Sequence, residues 1–389
     1  MPDSSRYVPR VRVRTSSARR LPTTLPESLQ GRLNDADGLI SAPLVGITTD
    51  GDPIPDLFPL RDTGSSLTEI SDAAVGFLGK LDTNQREVVS YSLDSDVWRR
   101  WSNVHPFLMR HGLLIEVLDD DGREAALNIL RSTLSPVGFE TARNIMRLNE
   151  TIREITGSDD EYGEWLYWIS LMGEPSASAP WGWQIDGHHL NINVLVLNGQ
   201  LVATPAFMGT EPVTADTGKH EGTTVFTAEE SNGYALMNSL WPDQRSKAVL
   251  GEDLPREVFT AAFRDNFEMR YEGIAYSELS RGQQQALVDL IETYVGRVRS
   301  DQAAVKMAEV RAHLDETYFA WMGGIEYDSP FYYRVHSPVI LIEFDHQRGV
   351  ALDNMEASRA HIHTIVRTPN GNDYGADLLL QHHIRYPHP

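Results

Sequence analysis

Apolar residues recur at spacings of three and four through Ile70, Ala74, Phe77 and Leu81. The pattern predicts an amphipathic helix over Leu67–Leu81, with Ser66 as its cap. Thr83 reads as a second cap, although Arg86 stands where a capping box would place Glu. The same period runs through Gly122–Leu134 and Phe139–Ile155, divided at Pro136, and a shorter helix is expected at Glu161–Leu171. From Trp181 to Phe207 the texture changes: positions alternate, Val and Ile accumulate, and Asn198-Gly199 signals a hairpin. Strands are expected at His188–Leu197 and Gln200–Thr204. Helical periodicity returns over Glu229–Leu250 and Ser280–Asp315. Two more strands, Tyr332–Phe344 and Ala360–Thr368, flank a loop with Arg348 and Gly349, and Asp377–His383 closes as a helix. Residues 36–63, punctuated by Gly and Pro, read as turns around one short strand. No internal repeat stands out. Blocks of helices and strands in this order predict an α+β fold, an antiparallel-rich β-sheet core with helices packed around it. The expected division is an extended basic arm over 1–35 and a single domain over 36–389, helical over 66–172 and strand-rich, with the site, over 180–389.

Composition narrows the chemistry. The 389 residues include 34 Lys and Arg against 55 Asp and Glu, a net charge of −21. Residues 1–33 carry +5, which leaves −26 on the remainder. A nucleic-acid partner would require a basic stripe to neutralise phosphates, so this balance argues against one. A basic arm on an acidic body suggests instead a homodimer clasped through the arm. The absence of Cys removes disulfides, thiolate metal sites and thiol nucleophiles, so any metal must be held by imidazole and oxygen. No apolar run has the roughly 18–20 residues that span a membrane. Arg19-Arg20 is not followed by an apolar segment, so a cytoplasmic location is expected.

Three segments concentrate the remaining chemistry. In Trp181–Asn193, strand alternation would put His188 with Leu190 and Ile192, and His189 with Asn191 and Asn193. In His361-Ile-His363, two imidazoles at i and i+2 stand about 6–7 Å apart along a strand and can reach one ion. Glu343, inside the apolar run Val339–Phe344, is costly to bury unless it is paired or coordinated, and its competing reading is an ion pair with Arg334 or Arg367. His382 and His383 read as solvent-exposed. No Gly-x-Ser-x-Gly, His-Glu-x-x-His or phosphate-binding glycine loop is present.

Several of these motifs occur in an order that resembles the DUF3500 family of uncharacterised proteins. They are Pro180-Trp-Gly-Trp-Gln-Ile-Asp-Gly-His-His-Leu190, Thr204-Pro-Ala-Phe-Met-Gly-Thr-Glu-Pro212 and Tyr332-Tyr-Arg-Val-His-Ser-Pro338 with Ile342-Glu-Phe-Asp345. His361-Ile-His363, Asn372-Asp-Tyr-Gly375 and Gln381-His382 follow, while Trp101-Ser-Asn103 and Leu134-Ser-Pro-Val-Gly138 resemble its N-terminal half. The resemblance spans roughly residues 70–385 and implies one continuous domain with the histidine segments as its signature. It carries no biochemical function. Exported members are common in the family, and this chain differs in lacking a signal peptide.

The residues point first to a metal-dependent enzyme acting on a small molecule. His188, His189, Glu343, His361 and His363 are the candidate ligands. Trp181, Trp183 and Asn191 would surround the substrate, with Asp186, Arg334 and Arg367 in catalytic roles. Iron, manganese, zinc and copper all suit such ligands. Iron is favoured because two His and one carboxylate leave open positions for oxygen, which makes a non-haem oxygen-using oxidoreductase the leading expectation. A zinc-type hydrolase is the alternative, and a metal-free binding protein with a Trp-lined cleft is the third.

Overall fold

The structure is a computed structural model that describes residues 27–103 and 110–387. Three of its first helices, among the described residues, begin at short polar caps: Asp82, Asp119 and Ser135. Helix α1 is Glu27–Ser41, followed by strand β1, Ile47–Thr48. Helix α2, Thr68–Leu78, starts after Leu67 rather than Ser66 and buries Ile70, Ala74 and Phe77. Helix α3, Thr83–Val89, is capped by Asp82, whose box partner is Gln85, so the expected capping box exists one residue earlier. Strands β2, Ser90–Tyr91, and β3, Leu113–Leu114, precede α4, Asp120–Thr133, and α5, Pro136–Thr156. Asp119 and Ser135 cap these two helices, and Pro136 opens α5 instead of interrupting it.

Strand β4, Tyr167–Met172, stands where a helix over Glu161–Leu171 was expected. All six of its residues are buried, and a fully buried strand loses the alternation that would distinguish it. Strands β5, Trp181–Gly187, and β6, Leu190–Leu197, are joined at His188-His189, so the strand expected from His188 begins two residues later. Strands β7, Gln200–Val202, and β8, Ala206–Thr210, end this part. The second part contains α6, Thr227–Ser239, α7, Pro242–Ala248, β9, Val249–Gly251, β10, Phe267–Glu268, and β11, Ile274–Ala275. It continues with α8, Arg281–Val295, α9, Ser300–Ala312, and β12, Tyr318–Gly323. The expected strand Tyr332–Phe344 is a hairpin of β13, Phe331–His336, and β14, Leu341–Arg348. Strand β15, Ala357–Arg367, and α10, Ala376–Arg385, complete the chain. Residues 27–35, read from sequence as part of an extended arm, belong to α1; the rest of that arm lies outside the described residues.

The fold is α+β around one 13-stranded sheet in the order β11-β12-β13-β14-β15-β8-β6-β5-β4-β2, with β3, β7 and β9 paired beside it. Pairing is antiparallel except for β2 on β4 and β9 on β12. That order is a palindrome, and it exposes a duplication. Each half runs helix, short helix, edge strand, irregular crossover, edge strand, two long helices and three antiparallel strands. Registers repeat as well: Ile169↔Ile185↔Ile192 in one half matches Phe319↔Val335↔Ile342 in the other. α2 packs on α4 as α6 packs on α8. The halves meet where Ala206 pairs with Val366 in the sheet and where Leu134 bridges Val298 between the helix pairs. Gly112 and Gly273, both at positive φ, hold equivalent turns tight against Ile169 and Phe319. The sheet and its helices are thus two side-by-side copies of one unit, not a helical part followed by a strand-rich part.

Alternation gives the sheet two unlike faces. Trp183, Ile185, Ile192, Met208, Ile342, Phe344 and Val366 point into the main core. The other face carries Gln184, Asp186, Asn191, Asn193, Glu343, Asp345, His361, His363 and Arg367, all buried. The two crossovers, the first containing Trp98–Asn103 and the second Glu257–Asp265, reach over this polar face and hydrogen-bond to part of it. Gln184 donates to the Trp98 carbonyl, the Ser102 amide donates to Asp186, and the Phe259 and Thr260 amides donate to Glu343.

Candidate metal centre

His361 and His363 project from the polar face of β15, and His363 lies directly opposite Gly209 of β8. A Cβ on Gly209 would come within 2.8 Å of His363 Cδ2 and 3.1 Å of His189 Cδ2, so only glycine lets the two rings close over this strand. His189 sits in the β5–β6 turn at φ 65°, and that left-handed backbone swings its ring toward β15. The three Nε2 atoms converge, with His189 to His361 at 3.1 Å and His361 to His363 at 2.9 Å. The rings are 1–6% exposed.

Their outer nitrogens decide what the inner ones can be. His361 donates from Nδ1 to the Arg348 carbonyl at 2.7 Å, and His363 donates from Nδ1 to Glu257 at 2.7 Å. With its Nδ1 proton given to the carbonyl, His361 presents a bare Nε2 lone pair to His363 Nε2 at 2.9 Å, a contact that calls for a proton or a metal ion between the rings. Burial, opposed by Glu211, lowers His361 to about 4, so the ring is neutral near pH 7, as ligation requires. Metal–nitrogen bonds of about 2.1 Å at angles of about 90–110° place neighbouring donors about 3.0–3.4 Å apart, close to the observed separations. Among the described residues, His189, His361 and His363 form the one group of three or more such side chains with a ligand geometry.

Around the triad, carboxylates orient the rings. Burial would raise the Glu257 carboxyl, but His363 and the Val258 amide, with Asn103 Nδ2 at 3.2 Å, more than offset this and hold it below its ordinary value. Glu211 accepts from the Val350, Ala351 and Leu352 amides and lies 3.7 Å from His361 Nδ1, so it fixes the loop whose Arg348 carbonyl orients that ring. His188 stacks on His189 with centroids 3.8 Å apart, and its Nδ1 is 2.9 Å from Asn149. Phe207 closes on the His363 ring at 5.0 Å.

The other expected site residues have different roles. His188 supports His189 from behind and is not in the triad. Glu343 accepts from the Phe259 and Thr260 amides, the Thr260 hydroxyl and Tyr332 at 2.5–2.9 Å, so it anchors the second crossover and neither ligates nor pairs with an arginine. All five Arg367 N–H groups are engaged by Thr260, Ala261, Asp265 and Asp373, which makes it a structural hub with nothing left for a substrate. Arg334 pairs with Glu272 two strands beyond β15. Trp181 and Trp183 are fully buried on the opposite, core face, so there is no Trp-lined cleft at these positions. Asp186 and Asn191 do lie on the triad's face, and burial pushes the Asp186 carboxyl well above its ordinary value. His382 and His383 lie on α10, away from the triad. Glu257 was not singled out by sequence, and Asn103 and Gly209 stood inside the quoted Trp101–Asn103 and Thr204–Pro212 motifs with no role assigned. Glu211 stood inside the Thr204–Pro212 motif, but nothing local marks Glu257, which the second crossover delivers from 106 residues away.

A duplicated α+β unit with a buried three-histidine cluster at the meeting of its halves defines the class of protein. The family model "Protein of unknown function (DUF3500)" matches residues 63–376, and the chain belongs to that family. No curated protein and no solved structure matches it. Among the described residues no helix is long and apolar enough to cross a membrane.

Proposed function

We propose that this protein is a metal-dependent enzyme whose divalent transition ion is held by His189, His361 and His363. The observation that carries this reading is the convergence of three buried imidazole Nε2 atoms, His189 to His361 at 3.1 Å and His361 to His363 at 2.9 Å, with the far nitrogens of His361 and His363 each oriented by an oxygen. Three neutral imidazoles leave the ion's full charge uncompensated by its ligands. Zinc in such a site lowers the pKa of a coordinated water to about 7. With Glu343 removed from the ligand set, this favours water activation, a hydrolase or hydratase on a small molecule, over the two-His, one-carboxylate oxygen chemistry expected from sequence. The oxygen-using oxidoreductase with iron stays as the second reading, because three mutually close nitrogens also leave open positions on a six-coordinate ion. A cytoplasmic protein without a nucleic-acid partner fits the acidic composition, and the homodimer stays a proposal.

Metal analysis of protein purified without a His tag tests this. About one equivalent of a transition metal is expected, and a His361→Ala/His363→Ala variant should retain less than about a tenth of it. Metal-free wild-type protein would refute the proposal. Anaerobic reconstitution with iron(II), followed by oxygen-uptake assays, separates oxidoreductase from hydrolase.

A further inference from the structure

On the face of the sheet opposite the metal centre, the main core is not closed. A cleft of about 910 Å³, its open mouth included, lies between the sheet and the α8–α9 pair. Its walls include the contacts where the two halves meet, Ala206 and Val366 on the sheet side and Leu134 and Val298 on the helix side. Ala206 pairs with Ile192 and with Val366 in the middle of the 13-stranded sheet, yet it is only partly buried. Ala203 and Val305, which also line the cleft, are partly buried as well. Short side chains on the two layers stop before they meet, and apolar walls without partner atoms forgo their dispersion contacts.

The polar side chains of the lining are spent within the protein. Gln302 accepts from the Leu201 amide and donates to the Gly199 carbonyl, and Gln200 accepts from the Arg61 amide and donates to the Pro59 carbonyl. The hydroxyls of Thr204 and Thr368 bond each other at 2.7 Å. Charges are balanced in place. Arg297 binds Glu229 at 2.5 Å, and Lys306 reaches Glu309 at 3.3 Å and the Val339 carbonyl at 2.8 Å. Arg61, 3.7 Å from Glu309, is itself exposed and is followed by the exposed Asp62. Among the described residues, the lining thus offers apolar surface and no uncompensated charge.

We propose that this cleft is a second ligand site, for a small, uncharged and predominantly apolar organic molecule. Apolar clefts of roughly 300–1,000 Å³ where two units meet are the usual seats of such ligands. Burying an apolar ligand restores the missing contacts, whereas a carboxylate or ammonium would lose its hydration without gaining a partner. The inference does not rest on the metal centre. β8 turns Ala206 and Met208 to this cleft and Gly209 to the histidines, so the two sites share a strand and no side chain.

The probe is prodan, an uncharged naphthalene ketone whose emission shifts to the blue in apolar surroundings, titrated into the full chain beside its charged counterpart 6-(dimethylamino)-2-naphthoate. One prodan per chain should bind with a blue shift, at least about tenfold tighter than the naphthoate. Ala206→Phe fills the cleft from the sheet and Val305→Trp fills it from α9, and each should weaken prodan binding by at least about tenfold. Val305→Trp, on a partly buried helix face, decides the matter if Ala206→Phe does not fold. The inference is overturned if the full chain binds no prodan, the result expected if residues 1–26 or a second copy occupied the cleft. It is equally overturned if the naphthoate binds as tightly or if the folded variants keep wild-type affinity. Metal content is read separately, so none of these results bears on the metal-centre reading.

Discussion

At His363 one proton position sets the chemistry. Glu257 accepts from Nδ1 and so directs Nε2 toward His361. Glu257→Gln keeps the shape but presents an uncharged acceptor, or flips to a donor. Metal affinity should then fall by about 10–100-fold, while the thermal midpoint of the metal-free protein changes little, because Glu257 is a third exposed. Competition with a chelator reads the affinity, and unchanged affinity would show that Glu257 does not orient the ring. Glu343 makes the contrast. Sequence correctly marked it as a carboxylate that must be compensated, but its compensation is backbone amides of a crossover. The identity of a buried acid announces that a partner exists and not which one.

Among the elements, β8 decides whether the centre can form. Its five residues link the two halves of the sheet and place Gly209 under two imidazoles. Gly209→Ala would put a methyl 2.8 Å from His363 Cδ2 and from the Ile362 carbonyl. Backbone on one side and a fixed ring on the other leave nowhere to relax, so a stability loss of about 1–3 kcal/mol is expected together with weakened metal binding. Denaturant midpoints and metal content of the same preparation check both; a stable variant that binds metal normally would contradict this geometry. The β5–β6 turn shows why periodicity alone fell short. Alternation assigned His188 and His189 to opposite faces of a strand, yet both belong to a turn, where φ and not parity aims the ring. Likewise β4 read as a helix because burial on both faces erased the period-two signal.

For the whole molecule, charge pairs tie distant segments together, and they set its response to acid. Glu164 joins Arg143 of α5 to Lys219 and His220 in the segment after β8. Burial alone would raise its pKa, but hydrogen bonds from Lys219, Arg143 and His220 bring it to about 2, below an unfolded value of about 4.3. A depressed carboxyl contributes stability that is present above the unfolded pKa and lost as pH falls toward the folded one. Glu164→Gln should therefore lower stability markedly at pH 7 and much less at pH 3, read from urea unfolding at the two pH values. Equal losses at both would mean that ionisation of Glu164 contributes nothing.

The α+β class, most long elements, the Asn198-Gly199 turn and the histidines able to bind a metal were legible in the sequence. Each rests on local rules: periodicity, turn chemistry and the ligand properties of a residue type. Tertiary structure alone decided which histidines converge, that Trp181 and Trp183 face the core, and that Glu257 replaces Glu343 beside the centre. It also revealed the duplication, because the two halves retain register and topology where their side chains have diverged, as at His189 and its counterpart Val339. Such choices depend on pairing between strands and crossovers more than 100 residues apart, and no short-range pattern encodes that distance.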